Sequence, residues 1–357
     1  MISNIISSKR PALYERIINR SARTKHAHIS LESANDCLTN YLAEKIFPQL
    51  APSPYGKIEI GRVPDHKYVY VIKENIKNIT VVGKCFHRDD NTLEQAWQQA
   101  QTEYLNLRFV RTKLRANSNG CHIAKPLGIN KELCALLVTE KVPGRMLDHY
   151  IARAIYENNH QQLFNKLERL ASLFSELHGI KKTRIHLSML AQKQYLSKIL
   201  DSLEHFVIEP EEKAGIEKNA SRWWEREDIC RDDFEVLVHG DATPTNFFFH
   251  KDEVIAIDME KMKRADRCWD LGFLAAELKH NFMWRMGNGI AAEPFIGHFL
   301  WKYATACGDT QIFYAVTRRL PLYMALGLLR IARNPWLDLQ YRKQLVHEAK
   351  RCLKYEL

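Results

Sequence analysis

Between residues 57 and 86 apolar and polar positions alternate in three short runs, KIEIGRV, KYVYVIKE and ITVVGKCF, parted by polar turns. A period of two, carried by Val, Ile, Tyr and Thr, predicts three strands. The period then lengthens. DNTLEQAWQQAQTEYLNLRF predicts a helix with Asn91 as its N-cap and Glu94, three residues on, completing a capping box. CHIAKPLGINKELCALLVTE returns to strand spacing in two runs joined by the turn INKE, giving a sheet of about five strands with one inserted helix. After Pro143-Gly144 the pattern is helical: FNKLERLASLFSELHG places Leu163, Leu167, Leu170, Phe174 and Leu177 on one face, and Gly179 marks the stop. The remainder is helical to its end apart from the passage 236–258.

The pattern predicts an α+β chain in which a small β-rich lobe is joined by a short connector to a larger α-rich lobe. Residues 1–55 read as a mainly helical extension ending at the turn-rich APSPYG, 56–141 as the β-rich lobe and 142–357 as the helical lobe. Clefts between lobes are common places for small molecules.

Composition narrows the classes. The chain has 357 residues, 46% of them hydrophobic and 26% charged, as in globular proteins with large cores. The longest apolar run, LPLYMALGLL, has the length of a buried helix rather than a membrane span, and the N-terminus does not read as a secretory signal. Eight cysteines without a CxxC spacing argue against a zinc site or a disulfide framework, so a reducing cytoplasm is the expected location. A net charge of +10 favours anionic partners: phosphorylated metabolites, nucleotides, acidic glycans or peripheral contact with a membrane surface. Nucleic acid is disfavoured, because no zinc-finger spacing, RNP-like aromatic motif or long basic tract is present. Lys9, Arg10, Arg16, Arg20, Arg23 and Lys25 read as a solvated helical face.

The chemistry concentrates in VHGDATPTNFFFHKDEVIAIDME. VLV leads into a polar loop holding His239, Gly240 and Asp241, while FFF and VIAI flank the turn His250-Lys251-Asp252-Glu253. A tight hairpin centred on Asp252 sets Asn246 opposite Asp258, and cross-strand neighbours have Cβ atoms roughly 4.5–5.5 Å apart. An amide oxygen and a carboxylate so placed can share one hard cation such as Mg²⁺, which takes one or two protein oxygens and completes its shell with phosphates and water. Asp241, five residues before Asn246, can face the same spot as the base or orienter of an attacking hydroxyl. These are the parts phosphoryl transfer needs.

His239-Gly240-Asp241, Asn246 and Ile257-Asp258 resemble the HGD-x-x-x-x-N and I-D signatures of the aminoglycoside phosphotransferase and choline kinase group, which has a protein-kinase-like two-lobed fold. DRCWDLGFLAAEL is similar to the helix start that follows the metal-binding Asp; VVGKCF resembles the nucleotide-contacting lysine strand, and LLVTEKVPG the hinge strand. The ordered resemblance covers roughly residues 57–280. It implies an ATP- and Mg²⁺-dependent kinase in which Asp241 is catalytic, Asn246 and Asp258 hold the metal, and Lys84 contacts the α- and β-phosphates. It also implies a helix glutamate that holds that lysine, for which Glu103 is chosen because Leu107 beside it points inward. The main chain from Glu140 to Val142 is expected to meet the adenine. His239 is expected to brace the loop. Asp270 reads either as a second brace, bonding back to the catalytic loop, or as a plain N-cap.

The chain departs from the protein-kinase pattern in the turn GRVPDHK, which has only Gly61 where a glycine-rich loop covers the phosphates; Arg62 and His66 are left to do that work. Lys261, Lys263, Arg264 and Arg267 read either as a solvated charge run or as a seat for an anionic acceptor. The expected activity is transfer of phosphate to a hydroxyl of a small molecule or saccharide, with a sugar, sugar phosphate or lipid-linked glycan suiting the basic balance. The alternatives are a nucleotide-binding pseudokinase scaffold without turnover and a kinase of aminoglycoside antibiotics. Trp223, Trp224 and Trp284 read as core residues or as faces for a sugar.

Overall fold

The strand and helix periods resolve into two units in a computed structural model, which describes residues 35–355 other than 65, 115–119, 181–182 and 231–232. Of these, residues up to Gln101 and Pro126–Lys141 form the first unit, and Thr102–Lys125 with Val142 onward form the second. The basic cluster from Lys9 to Lys25 lies outside the described residues, as do residues 1–34 of the expected helical extension.

The first unit begins with α1 (Asn35–Tyr41), continued by tighter and wider helical turns to Gln49. Strands β1 (Ile58–Arg62), β2 (Val69–Glu74) and β3 (Ile79–Cys85) follow as an antiparallel meander. The long helix α2 (Leu93–Leu114) comes next and passes into the second unit at Thr102, as does β4 (Cys121–Ile123) after it, before β5 (Pro126–Asn130) and β6 (Leu136–Glu140) return to the first. The sheet has five strands in the order β1-β2-β3-β6-β5. Alternation along β3, with Ile79, Val81 and Cys85 buried, puts one face onto a core with Leu42, Ile46, Phe47, Tyr70, Ile72, Leu136 and Val138. Full burial of each such aliphatic or aromatic side chain is worth about 1.5–3 kcal/mol.

Two local readings change. The capping box of α2 is Thr92 with Gln95: Thr92 N–H donates to Gln95 Oε1 at 2.9 Å and Gln95 N–H to Thr92 Oγ1 at 3.3 Å. Asn91 instead ties the preceding loop, accepting from Arg88 N and donating to Phe86 O, and Glu94 pairs with Lys131. Strand β4 does not join the five-stranded sheet. It belongs to the second unit, where it runs parallel to one strand of the hairpin described next.

The second unit continues with β7 (Arg145–Met146), α3 (Leu147–Tyr156), α4 (His160–Gly179), α5 (Leu190–Leu203) and α6 (Pro210–Trp224). Strands β8 (Val236–Val238), β9 (Phe247–His250), β10 (Glu253–Ala256) and β11 (Lys263–Ala265) come next. Helices α7 (Cys268–Met286), α8 (Glu293–Ala306), α9 (Gln311–Thr317), α10 (Leu320–Ala332) and α11 (Leu339–Leu353) complete it. The hairpin β9–β10 is extended by β4 and β7 into four strands, and β11 pairs antiparallel with β8. Strands β7 and β11 are too short and too charged for a period of two to show them. The predicted apolar face of α4 is buried from Leu163 to Leu177. Helix α10, the apolar run of the sequence, packs on α7, where Gly272 allows the close approach: a Cβ there would sit 2.3 Å from Tyr323 Cβ. No single helix among the described residues is long and apolar enough to cross a membrane.

Candidate active site

The polar loop leaves β8 at Val238, between two elements that hold its backbone from either side. Asp270, in the first turn of α7 and fully buried, accepts from His239 N–H at 2.7 Å and from Gly240 N–H at 2.9 Å. Of the two readings of Asp270, the brace is the observed geometry. A buried carboxylate needs such donors to stay charged. His178 Nε2 lies 3.1 Å from the same carboxylate, and His178 Nδ1 lies 2.7 Å from Tyr303 Oη. Burial pushes the His178 pKa below its ordinary value despite the attraction of Asp270. The ring is therefore neutral, its Nε2–H donates to Asp270, and its Nδ1 accepts from Tyr303. His239 braces the other side through Nε2, 2.9 Å from Ile257 O, while its Nδ1 accepts from Asp241 N–H at 3.3 Å. Gly240 is required between them: its φ is +86°, and a Cβ would come within 2.1 Å of Lys261 O.

This scaffold presents Asp241. Lys261 Nζ lies 2.8 Å from its Oδ2 and Arg330 Nη1 lies 2.8 Å from its Oδ1. Arg330 in turn bonds Glu277 Oε1 at 2.9 Å and stacks over the Phe273 ring. Burial opposes the charge on Asp241, but Arg330 and then Lys261 outweigh it and hold the carboxyl below the usual carboxylate range. Arg330 escaped the sequence reading because it stands 89 residues from Asp241; a lone guanidinium in an otherwise apolar helix was the available signal. The run Lys261 to Arg267 makes specific contacts although Lys261 and Lys263 are exposed. Lys261 holds Asp241, Lys263 Nζ lies 3.2 Å from the centroid of the Trp269 ring, and Arg267 bonds Asp233 and Tyr303.

The hairpin register differs by one residue from that expected. His250 pairs with Glu253 and Phe247 with Ala256, so Ile257 falls opposite Asn246 and its N–H donates to Asn246 O at 3.0 Å. The cause is a two-residue turn, Lys251-Asp252, with Lys251 at φ +52°, in place of one centred on Asp252. Asp258 then leaves the ladder with φ +62°. Asn246 donates its amide Nδ2 to Asp241 O at 3.0 Å, which leaves its amide oxygen as the ligand atom of the group. Asp258 gathers with Glu260 and with Glu103 of α2, their carboxylate oxygens all within 4.8 Å of one another. Glu103 is buried, and Asn106, three residues along the same helix face, donates to Met259 O at 2.9 Å.

In the first unit, Lys84 stands on β3 between Val69 of β2 and Leu137 of β6, its Nζ 4.8 Å from the Phe86 ring centroid. Glu140 ends β6 opposite Val81, and Val142 follows one residue into the second unit. Arg62 lies over the Tyr70 ring, 5.7 Å from its centroid. Of the three tryptophans, Trp223 is buried and donates Nε1–H to Leu353 O, as a core residue does. Trp284 is 43% exposed and meets Tyr341 edge-on. Trp224 lines a cavity of about 610 Å³ with His186, Ser188, Lys193 and Arg226, and none of the loop residues above borders it.

Residues 93–303 match the model of the phosphotransferase enzyme family. No curated protein sequence matches the chain. Among solved structures, the streptomycin–ATP–APH(2″)-IIa ternary complex superposes with a TM-score of 0.56 at 12% identity, covering 90% of this chain and 99% of that one. Choline kinase LicA from Streptococcus pneumoniae gives 0.54 at 14% identity, covering 89% and 99%. Ethanolamine kinase from Plasmodium vivax gives 0.53 at 13%, covering 93% and 95%. At these identities the likeness establishes a kinase-like fold.

Proposed function

Since the chain belongs to the phosphotransferase enzyme family, we propose that it transfers the γ-phosphoryl group of ATP to a hydroxyl of a small molecule or saccharide that carries an anionic group. The observation that carries this reading is the carboxylate of Asp241, kept ionised by Lys261 and Arg330 at the tip of a loop whose backbone Asp270 and His239 fix. Asp241 orients the acceptor hydroxyl and takes its proton. Its lowered pKa makes it a weak base, which suits a loose transition state in which the nucleophile's proton leaves late.

Mg²⁺ fits the residues present: Asp258, Glu260 and Glu103 offer only oxygen donors, close together, and Asn246 keeps its amide oxygen available. Asp258 with Asn246 would hold it, and it would neutralise charge on the β- and γ-phosphates. Lys84 meets the phosphates as a point charge, and the main chain from Glu140 to Val142 receives the adenine. Lys261, half exposed at its side chain, and Lys263 give the acceptor side a cationic rim, which favours a sugar phosphate or acidic saccharide.

Labelled ATP with Mg²⁺ and a panel of sugars, sugar phosphates, choline-like alcohols and aminoglycosides is the test. Label is expected on an anionic sugar and none after chelation. Transfer only to an aminoglycoside would replace the anionic acceptor with the second reading, which the likeness to the streptomycin complex favours. No transfer to any acceptor would favour the scaffold.

Arg330→Gln gives a further expectation. In the wild type, a depressed Asp241 pKa keeps kcat/KM intact as pH falls, until the pH drops below the ordinary carboxylate value of about 3.9. Without Arg330, burial acts with only Lys261 opposing it, so the acid limb moves upward. A pH–rate profile with an unshifted acid limb would separate Arg330 from the charge state of Asp241.

A further inference from the structure

Cys85 ends β3, next to Lys84, and Cys134 stands in the turn that leads into β6. All eight cysteines are unbridged. The register pairs Cys85 with Leu136, and beyond it Phe86 N–H reaches Ala135 O and His87 N–H reaches Cys134 O at 3.1 Å. Cys134 and Ala135 are both left-handed, with φ +58° and +50°, a conformation that two successive non-glycine residues seldom adopt. This tight turn sets Cys134 against the same core that holds Cys85, and the two thiols are hydrogen-bonded. Cys85 is buried in the core of the unit, whereas Cys134 is only partly covered against it.

We propose that Cys134 and Cys85 form a redox-active dithiol, oxidised by hydroperoxides to a disulfide that ties the end of the Lys84 strand to the β5–β6 turn.

The order of events follows from the surroundings of each sulfur. The hydrogen bond from Cys85 stabilises charge on Cys134 and holds its pKa below the ordinary thiol value, against the effect of burial, and Cys134 is also the more exposed of the two cysteines. The same bond and burial push Cys85 up, so Cys85 keeps the proton. Burial also pushes up Cys121, Cys230 and Cys352, which slows their reaction. The Cys134 thiolate attacks one peroxide oxygen. The O–O bond breaks, the leaving hydroxide (or alkoxide) takes up a proton, and Cys134 becomes a sulfenic acid. Cys85 sulfur then attacks Cys134 sulfur. The S–S bond forms as the S–O bond breaks, and the Cys85 proton leaves with the departing hydroxide as water. Each sulfur gives up one electron and the peroxide gains two. A dithiol reductant reverses the step by thiol–disulfide exchange.

The test uses the full chain, treated with one equivalent of hydrogen peroxide near neutral pH and then blocked with an alkylating agent. Peptide mapping is expected to recover a fragment linking Cys85 to Cys134, lighter by two hydrogens than its parts and lost after dithiothreitol. Cys134→Ser, a change at a partly exposed position, is expected to abolish that fragment, as is Cys85→Ala. Recovery of Cys134 as a sulfinic acid with Cys85 still reduced would overturn the proposal, as would faster oxidation of the other cysteines. The readout does not depend on phosphotransfer, so failure of the kinase reading would leave it standing, and the reverse.

Discussion

Asp241→Asn is expected to lower kcat for phosphate transfer by about 10²–10⁴-fold while leaving the KM for ATP within a few-fold. That loss corresponds to about 3–5 kcal/mol of transition-state stabilisation. The substitution keeps the size of the side chain and one oxygen acceptor but removes the negative charge that takes the proton. The fold should tolerate it. Arg330 retains its bond to Glu277, and the loop backbone is held by Asp270 and His239 rather than by the Asp241 side chain. Lys261 is half exposed and finds water. Single-turnover transfer, with circular dichroism to verify folding, is the measurement. Equal turnover in wild type and variant would remove Asp241 from the chemistry.

Much of the scaffold of this site was legible in the chain, for reasons that differ from residue to residue. The strands around Lys84 showed themselves because one face of their sheet is buried and the other is not, so side chains of opposite character alternate. The loop from His239 to Asn246 was legible because its polar residues sit between apolar runs that must be strands. The partners of Asp241 were not, since Arg330 and Glu277 come to it from helices whose mutual placement no local period encodes. The one-residue error at the hairpin has a local cause. Nothing in His250-Lys251-Asp252-Glu253 marks the left-handed position, as a glycine would have done, and Lys251 adopts it. A slip of one residue reverses which side chains share a face. In the observed arrangement the Asn246 amide donates to the Asp241 carbonyl, and Glu260 and the distant Glu103 stand beside Asp258.

The same long-range placement builds the ion network behind the loop, and Arg319→Met is expected to cost about 3–5 kcal/mol of unfolding free energy. Arg319 has no exposed surface, yet its guanidinium satisfies three partners: Asp266 through Nε at 2.7 Å, Asp233 through Nη2 at 2.5 Å and Ile229 O through Nη1 at 2.9 Å. Methionine fills much of the volume and supplies no donor, so Asp266 and Asp233 lose a charge partner without regaining water. Tyr323 still donates to Asp266 and Arg267 to Asp233, which keeps the loss finite. Because Arg267 also donates to Tyr303, whose hydroxyl meets His178 and through it Asp270, loosening Asp233 is transmitted toward the loop that carries Asp241. The pH dependence has a definite sign. Burial raises the Asp233 pKa, but Arg267 and Arg319 outweigh it and set the folded value below the ordinary one. The stability this carboxylate adds is therefore present above about pH 3.9, the unfolded value, and is lost as pH falls through the depressed folded value. Removing Arg319 weakens that depression, so the gap between wild type and variant should be widest near neutral pH and narrow below about pH 4. Urea unfolding at a series of pH values measures it. A gap that held constant through the acid range would mean that Arg319 stabilises the fold by packing rather than by its charge.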